Sequence, residues 1–310
     1  MSDSAAAQLG LLETLSNWGR WGPDDELGTL NFITPEVRRA ALAVARSGRS
    51  VSCARELRPD VMPYAAGASA VQRYMVRSGE GYPADVPAAA ASEYLGLVFH
   101  GRLHTHLDSL AHVFAGGRLY NGAPAGQVST AAGAARHAVT AVADGILARG
   151  VLIDAARHRG VAWLPEGARV EPDEVVAIAA AQAVELRPGD ALLLRTGHGA
   201  QVAAWQRGDP PITGYAGWAA SCLPWFRDRQ VSLIGADTAQ DPVPPAPGAL
   251  VSPIHVAGIV GMGLWLLDNC NLEGVSRAAA EAERWEFLLV IGALRLAGGT
   301  GSPVNPIAVF

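Results

Sequence analysis

His100-Gly101-Arg102-Leu103-His104-Thr105-His106-Leu107-Asp108-Ser109-Leu110-Ala111-His112 carries four of the chain's eight histidines and a carboxylate among them. Side chains alternate faces along an extended segment, so His104, His106 and Asp108 are expected to point the same way, with Cα spacings of roughly 6.6 Å. Imidazoles on such a row can converge on one cation, and Asp108 adds negative charge. His112 lies beyond an expected bend and reads as a further ligand or as the acid/base. The plainer reading is a chance grouping of surface or core histidines, which a His-x-His-x-Asp-x-x-x-His run with apolar flanks disfavours. Imidazole plus carboxylate suits Zn, Mn or Fe(II), and no cysteine lies nearby to suggest a structural zinc finger.

The rest of the chain narrows the class. Of 310 residues, half are hydrophobic and 17% are charged, enough for a sizeable core. The net charge is -5 and there is no lysine and no Arg-rich stripe, which argues against a nucleic-acid partner. Met1 to Gly10 has neither a basic start nor an apolar core, so no signal peptide is expected. The longest apolar run, Val256 to Leu267, is too short to span a bilayer. Cys53, Cys222 and Cys270 are dispersed and form no CxxC, pointing to a reducing cytoplasm.

Strand and helix signals interleave without an internal repeat or a clear linker, which predicts one α/β domain over residues 1–310. Residues 1–33 read as an irregular Trp-rich arm. Thr34 and Pro35 predict a helix start, with Val37, Ala40, Ala41, Val44 and Ala45 on its apolar face and Gly48 as its stop. Pro59 to Ala91 reads mainly as loop, and Leu95 to Phe99 as a short apolar strand. Ala131 to Ala148 is expected to be loop then helix, and Gly150 to Asp154 a buried strand. A helix is expected over Pro172 to Gln182, and strands over Ala191 to Arg195 and Gln230 to Gly235. His255 to Leu267 fits a helix or a strand-turn-strand equally well. Ser276 is read as the cap of a short helix, and Phe287 to Leu296 as a last strand. His137 and His158 read as surface residues; His198 fits a pocket or an exposed loop equally. Trp18, Trp21, Trp218 and Trp225 fit core or interface positions better than a substrate shelf. There is no G-x-S-x-G elbow and no Walker A.

The cluster resembles the signature of the cyclase family, which includes bacterial kynurenine formamidases, isatin hydrolases and related metal-dependent hydrolases. That signature reads His-x-Gly-Thr-His-x-Asp-x-Pro-x-His, and Thr105, His106, Asp108 and His112 match it. Arg102 stands where the first His belongs, His104 replaces Gly and Leu110 replaces Pro; His104 is the natural substitute ligand and His100 the second candidate. Trp21 to Asn31, Arg149 to Asp154, Gly189-Asp190, Leu192 to Gly197, Gly235 to Thr238 and Gly301 to Pro306 are similar to further landmarks of the family. It also carries a late His and then an acidic residue, usually Glu; here these are His255 and Asp268.

The resemblance implies a swivelling β/β/α fold: a mixed, partly barrel-like central sheet flanked by helices, usually in homodimers or homotetramers. The Trp-rich arm is a reasonable element to cross a subunit boundary. It further implies one or two divalent ions, Zn or Mn, held by His104, His106, Asp108, His255 and Asp268, with His112 carrying the proton. The expected reaction is hydrolysis of an amide, imide, formamide or lactone bond in a small cyclic or aryl-linked molecule. Metal-assisted cyclisation or dehydration is the runner-up, and a metal- or ligand-binding homologue without catalysis is the rival from another class.

Overall fold

Near-continuous apolar runs such as Ala191–Arg195 and Ile146–Asp154 are buried along almost their whole length, as strands covered on both faces must be. They form the middle of a nine-stranded mixed sheet in a computed structural model that describes residues 3–59 and 70–310, with backbone alone for residues 3–6 and 8. In chain order its strands are β1 (Ser50–Ser52), β2 (His106–Asp108), β3 (Ile146–Asp154), β4 (Ala191–Arg195), β5 (Leu233–Ala236), β6 (Trp265–Asp268), β7 (Glu286–Ile291), β8 (Gly301–Pro303) and β9 (Ile307–Val309). Their spatial order is β1-β9-β7-β3-β4-β5-β6-β2-β8. The run β3-β4-β5-β6 is parallel and every other pairing is antiparallel. The sheet curls into a half-barrel with helices packed against it, the architecture the resemblance implies.

Two arginines, each paired with two carboxylates, tie the centre of the sheet to its neighbours. Arg149 on β3 meets Asp190 at 3.1 Å and Glu286 at 2.6 Å. Arg195 at the end of β4 meets Asp154 at 2.7 Å and Glu273 at 2.8 Å. Beyond β5, the Asp237 carboxylate accepts from the N–H groups of Thr196, Gly197 and His198 and from the Thr196 hydroxyl. These contacts give several of the sequence landmarks a scaffolding role.

The helix Pro35–Leu42 starts as expected, with the Thr34 hydroxyl accepting from Val37 N–H, but it ends before Gly48. Pro172–Ala181 is helical and β4 has the expected bounds. The segment from His255 resolves as a wide π-type helical turn, Ile254–Met262, followed by β6.

Other expectations need correction. The arm is not irregular throughout, since Asp3–Thr14 is helical. After that helix the arm lies along the Ile254–Met262 turn. Asn17 donates to Gly261 and Met262 carbonyls, Trp18 Nε1 to Val260 O at 2.7 Å, and Thr29 N to Gly263 O at 2.9 Å. The loop expected over Pro59 to Ala91 contains the strand Gln72–Arg77, which pairs with Ser92–Gly96 in an exposed hairpin; residues 60–69 lie outside the described residues. Ala131 to Ala148 forms no α-helix: Gly133 and Gly298 pack backbone to backbone at its start (Ala134 N to Gly298 O, 2.8 Å), a 3-10 turn spans Val139–Val142, and β3 begins at Ile146. His137 on that segment is consequently fully buried, at φ 61°, against Tyr120. Ser276 is not a cap; the helix begins a turn earlier at Glu273, and the Ser276 hydroxyl donates to Asp154. Two short strands, β8 and β9, follow the segment read as the last one.

Gly28 is where the arm comes closest to that turn. It has φ 55°, and a Cβ there would sit 2.1 Å from Gly263 O, which only a backbone shift could relieve. Gly28→Ala is therefore expected to lower unfolding free energy by about 2–4 kcal/mol, combining left-handed strain with overpacking. Urea titration of the two proteins checks this; equal midpoints would mean that the arm does not brace the turn.

Candidate metal centre

Register assembles the site. In the antiparallel pair β6–β2, Asp268 lies opposite His106, and directly opposed residues share a face. Asp108, two residues along β2 from His106, is on that face too. Gly301 on β8 lies opposite Asp108, and a Cβ there would stand 2.7 Å from His100 Cε1, so a glycine leaves room for that imidazole. His255 reaches in from the helical turn, and His112 follows from the bend after β2.

The described residues contain two groups of side chains with mutually close ligand atoms: His106, Asp108 and Asp268, and His100, Asp108 and His112. Asp108 belongs to both and is fully buried. His100 Nδ1 is 2.9 Å and His106 Nε2 3.3 Å from Asp108 Oδ1. His255 Nε2 lies 3.7 Å and His112 Nε2 3.9 Å from Asp108 Oδ2. His255 Nε2 is also 3.4 Å from Asp268 Oδ2.

Of the residues expected from sequence, the structure thus brings together His106, Asp108, His112, His255 and Asp268. His104 does not join them. Strand alternation begins only at His106, and residue 104 still lies in the preceding bends, so its side chain lines a separate cavity of about 250 Å³ beside Arg55, Arg58 and Gln206. Its carbonyl serves the cluster instead, accepting from His106 Nδ1 at 2.8 Å. His100, the second candidate, occupies the place. Its Nε2 contacts Thr300 Oγ1 at 3.0 Å and its ring stacks on His112 at 3.8 Å, the planes 1° apart. His198 is neither exposed nor in this cluster: it is buried in the first turn of the helix His198–Gln206, with Nδ1 2.8 Å from Gln201 Oε1. His158 is exposed.

Asp241 went unnoticed in the sequence. Its Oδ2 lies 2.6 Å from His255 Nδ1, and its carboxylate accepts from the N–H groups of Ile254 and His255. A signal existed: it follows the carboxyl end of a parallel strand, four residues after Asp237, where open α/β sheets place their sites.

The hydrogen bonds set the tautomers. The His104 carbonyl and the Asp241 carboxylate can only accept, so Nδ1 carries the proton on His106 and His255. In the neutral ring each Nε2 then presents a lone pair toward carboxylate oxygens. Asp108 Oδ2 is buried without a hydrogen-bond partner. With those rings neutral, acceptors face acceptors, a conflict that a second ring proton or a cation relieves, and this donor set of imidazoles and carboxylates fits a divalent ion. Protons compete for the same place. Burial opposes charge on His106, yet Asp108 and Asp268 outweigh it and raise its pKa to about 9. Burial likewise opposes charge on His255, and Asp241 and Asp268 raise it well above the usual value. Burial works against the Asp108 carboxylate, but His112 and His106 hold it ionised, well below the usual range. His112 behaves oppositely: burial, helped by His100 and His255 against the pull of Asp108, pushes it down to about 4.

The cluster forms one wall of a cavity of about 810 Å³. Tyr215, Trp218, Val113, Pro242 and Val243 line its apolar side, with Arg102 and Arg169 also present. Arg102, which stands at the position of the family's first histidine, has its guanidinium carbon 5.5 Å from the Tyr215 ring centre. Trp218 therefore lines the cavity as well as packing in the core against Phe226.

The family model described as "Putative cyclase" matches residues 56–240, more than half of the sequence. The chain belongs to this family. A crystal structure described as a novel cyclase is 31% identical, with a TM-score of 0.87 over 96% of this chain and 99% of that one. Isatin hydrolase A from Labrenzia aggregata, bound to benzyl benzoate, is 16% identical with a TM-score of 0.59, covering 88% of this chain and 98% of its own. An isatin hydrolase bound to the product analogue thioisatinate is 18% identical with a TM-score of 0.58, covering 89% and 99%. At those identities the likeness to the isatin hydrolases is one of fold. No curated protein matches the sequence.

The opposite shifts of His106 and His112 are separable in this cyclase-family protein. In chelator-treated protein, histidine NMR should show His112 neutral down to about pH 5 and His106 still protonated at pH 8. Both rings titrating together near pH 6.5 would contradict the charge arrangement described.

Proposed function

We propose that this protein is a metal-dependent hydrolase that cleaves an amide, imide, formamide or lactone bond of a small cyclic or aryl-linked molecule. One observation carries the reading: imidazole lone pairs and carboxylate oxygens, including the orphaned Asp108 Oδ2, face one another at the wall of a mostly apolar cavity. Cavities of this size suit a small organic substrate. The Tyr215 ring on the apolar side of the cavity favours a planar ring. The isatin hydrolases solved with thioisatinate and with benzyl benzoate supply the analogy for an aryl-linked substrate.

His106, Asp108, Asp268 and His255 would hold one Zn or Mn ion, and His100 with His112 on Asp108 offers room for a second. A divalent ion in such a set polarises a carbonyl group and acidifies water. His112, neutral at pH 7 and 27% exposed, can take the proton from the attacking water. As the water oxygen joins the carbonyl carbon and the C–N or C–O bond breaks, the same imidazole returns the proton to the departing atom. The stacked His100 ring fixes the plane of His112. Asp241 holds His255 in the tautomer that leaves Nε2 free.

A homodimer or homotetramer is proposed alongside. The hairpin Gln72–Arg77 with Ser92–Gly96 is exposed along both strands, carries Tyr74, Met75, Val76 and Leu95, and is of a kind marginal when isolated. Among the described residues no helix is long and apolar enough to cross a membrane. With all three cysteines present as buried thiols, a reducing cytoplasm is the compartment we favour.

The test pairs ion binding with turnover. Chelator-treated protein reloaded with Zn or Mn should add one water to a member of a panel of cyclic aryl amides, formanilides and lactones, read by mass spectrometry. His106→Ala should abolish tight binding, whereas His104→Ala should leave it unchanged. Asp241→Asn should weaken it by about 10- to 100-fold. His112→Asn should keep at least one ion and lose about 10²–10⁴-fold in kcat. Loss of water with ring closure, or tight binding of a panel member without turnover, would contradict the hydrolase reading.

A further inference from the structure

Gln240 occupies a position unfavourable in every local respect. It is fully buried and sits at φ 56°, in the left-handed region that suits glycine. Its Oε1 is buried without a hydrogen-bond partner. A strained and under-satisfied residue persists only where the surrounding structure or the function demands it. The backbone supplies part of the demand. Gln240 O accepts from Trp218 N at 2.9 Å, and Gly217 gives way to it, since a Cβ there would lie 2.0 Å from that oxygen. That contact fixes where the main chain runs and leaves the side-chain amide unexplained.

The amide points at the metal centre. Gln240 Nε2 donates to Leu267 O at 3.0 Å and to Asp268 Oδ1 at 2.7 Å, using both of its hydrogens. Turning the amide over would set Oε1 against two acceptors, so the orientation is unambiguous. Asp268 then has one oxygen tied off. The other, Oδ2, faces His255 Nε2 at 3.4 Å. Without the amide, the short aspartate side chain could rotate and satisfy itself elsewhere.

We propose that Gln240 is a positioning residue for the ion: its amide immobilises Asp268 so that Oδ2 is presented to the cation shared with His106, Asp108 and His255. The inference rests on the metal-dependent reading of the site and adds a residue hydrogen-bonded to Asp268. Hydrogen-bonded partners of metal-binding carboxylates are worth about 10- to 100-fold in ion affinity.

The experiment measures Zn²⁺ and Mn²⁺ affinity of the chelator-treated full chain by competition with a chromophoric chelator, with circular dichroism as the folding control. Gln240→Leu removes the donors, and Gln240→Glu keeps the shape while turning a donor into an acceptor. Each is expected to bind about 10- to 100-fold more weakly than wild type. In an Asp268→Asn background, Gln240→Leu is expected to cause no further loss, because the amide acts through that carboxylate. Unchanged affinity in the single variants, or losses that add fully in the double variant, would overturn the assignment. Failure of both single variants to fold would place Gln240 in the scaffold and overturn it equally. A wild-type protein that binds neither ion would instead overturn the metal-dependent reading itself.

Discussion

A carboxylate with no access to water is the constraint on which the site depends. Burying an ionised Asp108 carries a large desolvation penalty unless positive charge lies close by, and of the four imidazoles that converge on it His106 and His255 are held toward the charged form. That arrangement dictates the register of the curled sheet at its edge: β2 between β6 and β8, Asp268 opposite His106, and glycine opposite Asp108. A shift of one residue along β2 would turn His106 and Asp108 to the other face and dissolve the cluster. The constraint therefore links the topology of the sheet to the chemistry of the cavity.

The support around the cluster is as specific as the cluster. His106 is oriented by a carbonyl, His255 by Asp241, Asp268 by Gln240, and His112 by a stacked ring. Farther out, the Trp-rich arm clasps the turn that carries His255 through Asn17, Trp18 and Thr29. The arm thus stabilises a wide helical turn whose interior, rich in glycine and β-branched residues, has little intrinsic helix preference. Of its two indoles, Trp18 clamps the turn through Val260 O, and Trp21 packs edge-on to Phe32 within the arm.

Much of this was legible in the sequence, and the failures have physical causes. Strands β3 and β4 announce themselves as apolar runs, and the Thr34-Pro35 helix start carries its own cap. His106, Asp108 and His112 are recognisable because their spacing is local, and the family likeness adds His255 and Asp268. His104 misled because period-2 alternation holds only where a strand exists, and the strand is just three residues long. Asp241 and Gln240 act through contacts made across the fold, so no local pattern marks them. His137 was misread for a related reason: its burial comes from the Gly133–Gly298 contact, between residues far apart in the chain.

The most direct test of the account is anomalous diffraction from crystals grown with Zn²⁺ or Mn²⁺. An ion is expected about 2.0–2.2 Å from His106 Nε2 and from oxygens of Asp108 and Asp268, with His255 Nε2 completing the set. His104 should remain in its separate cavity. An ion coordinated by His104, or peaks confined to places away from Asp108, would contradict it.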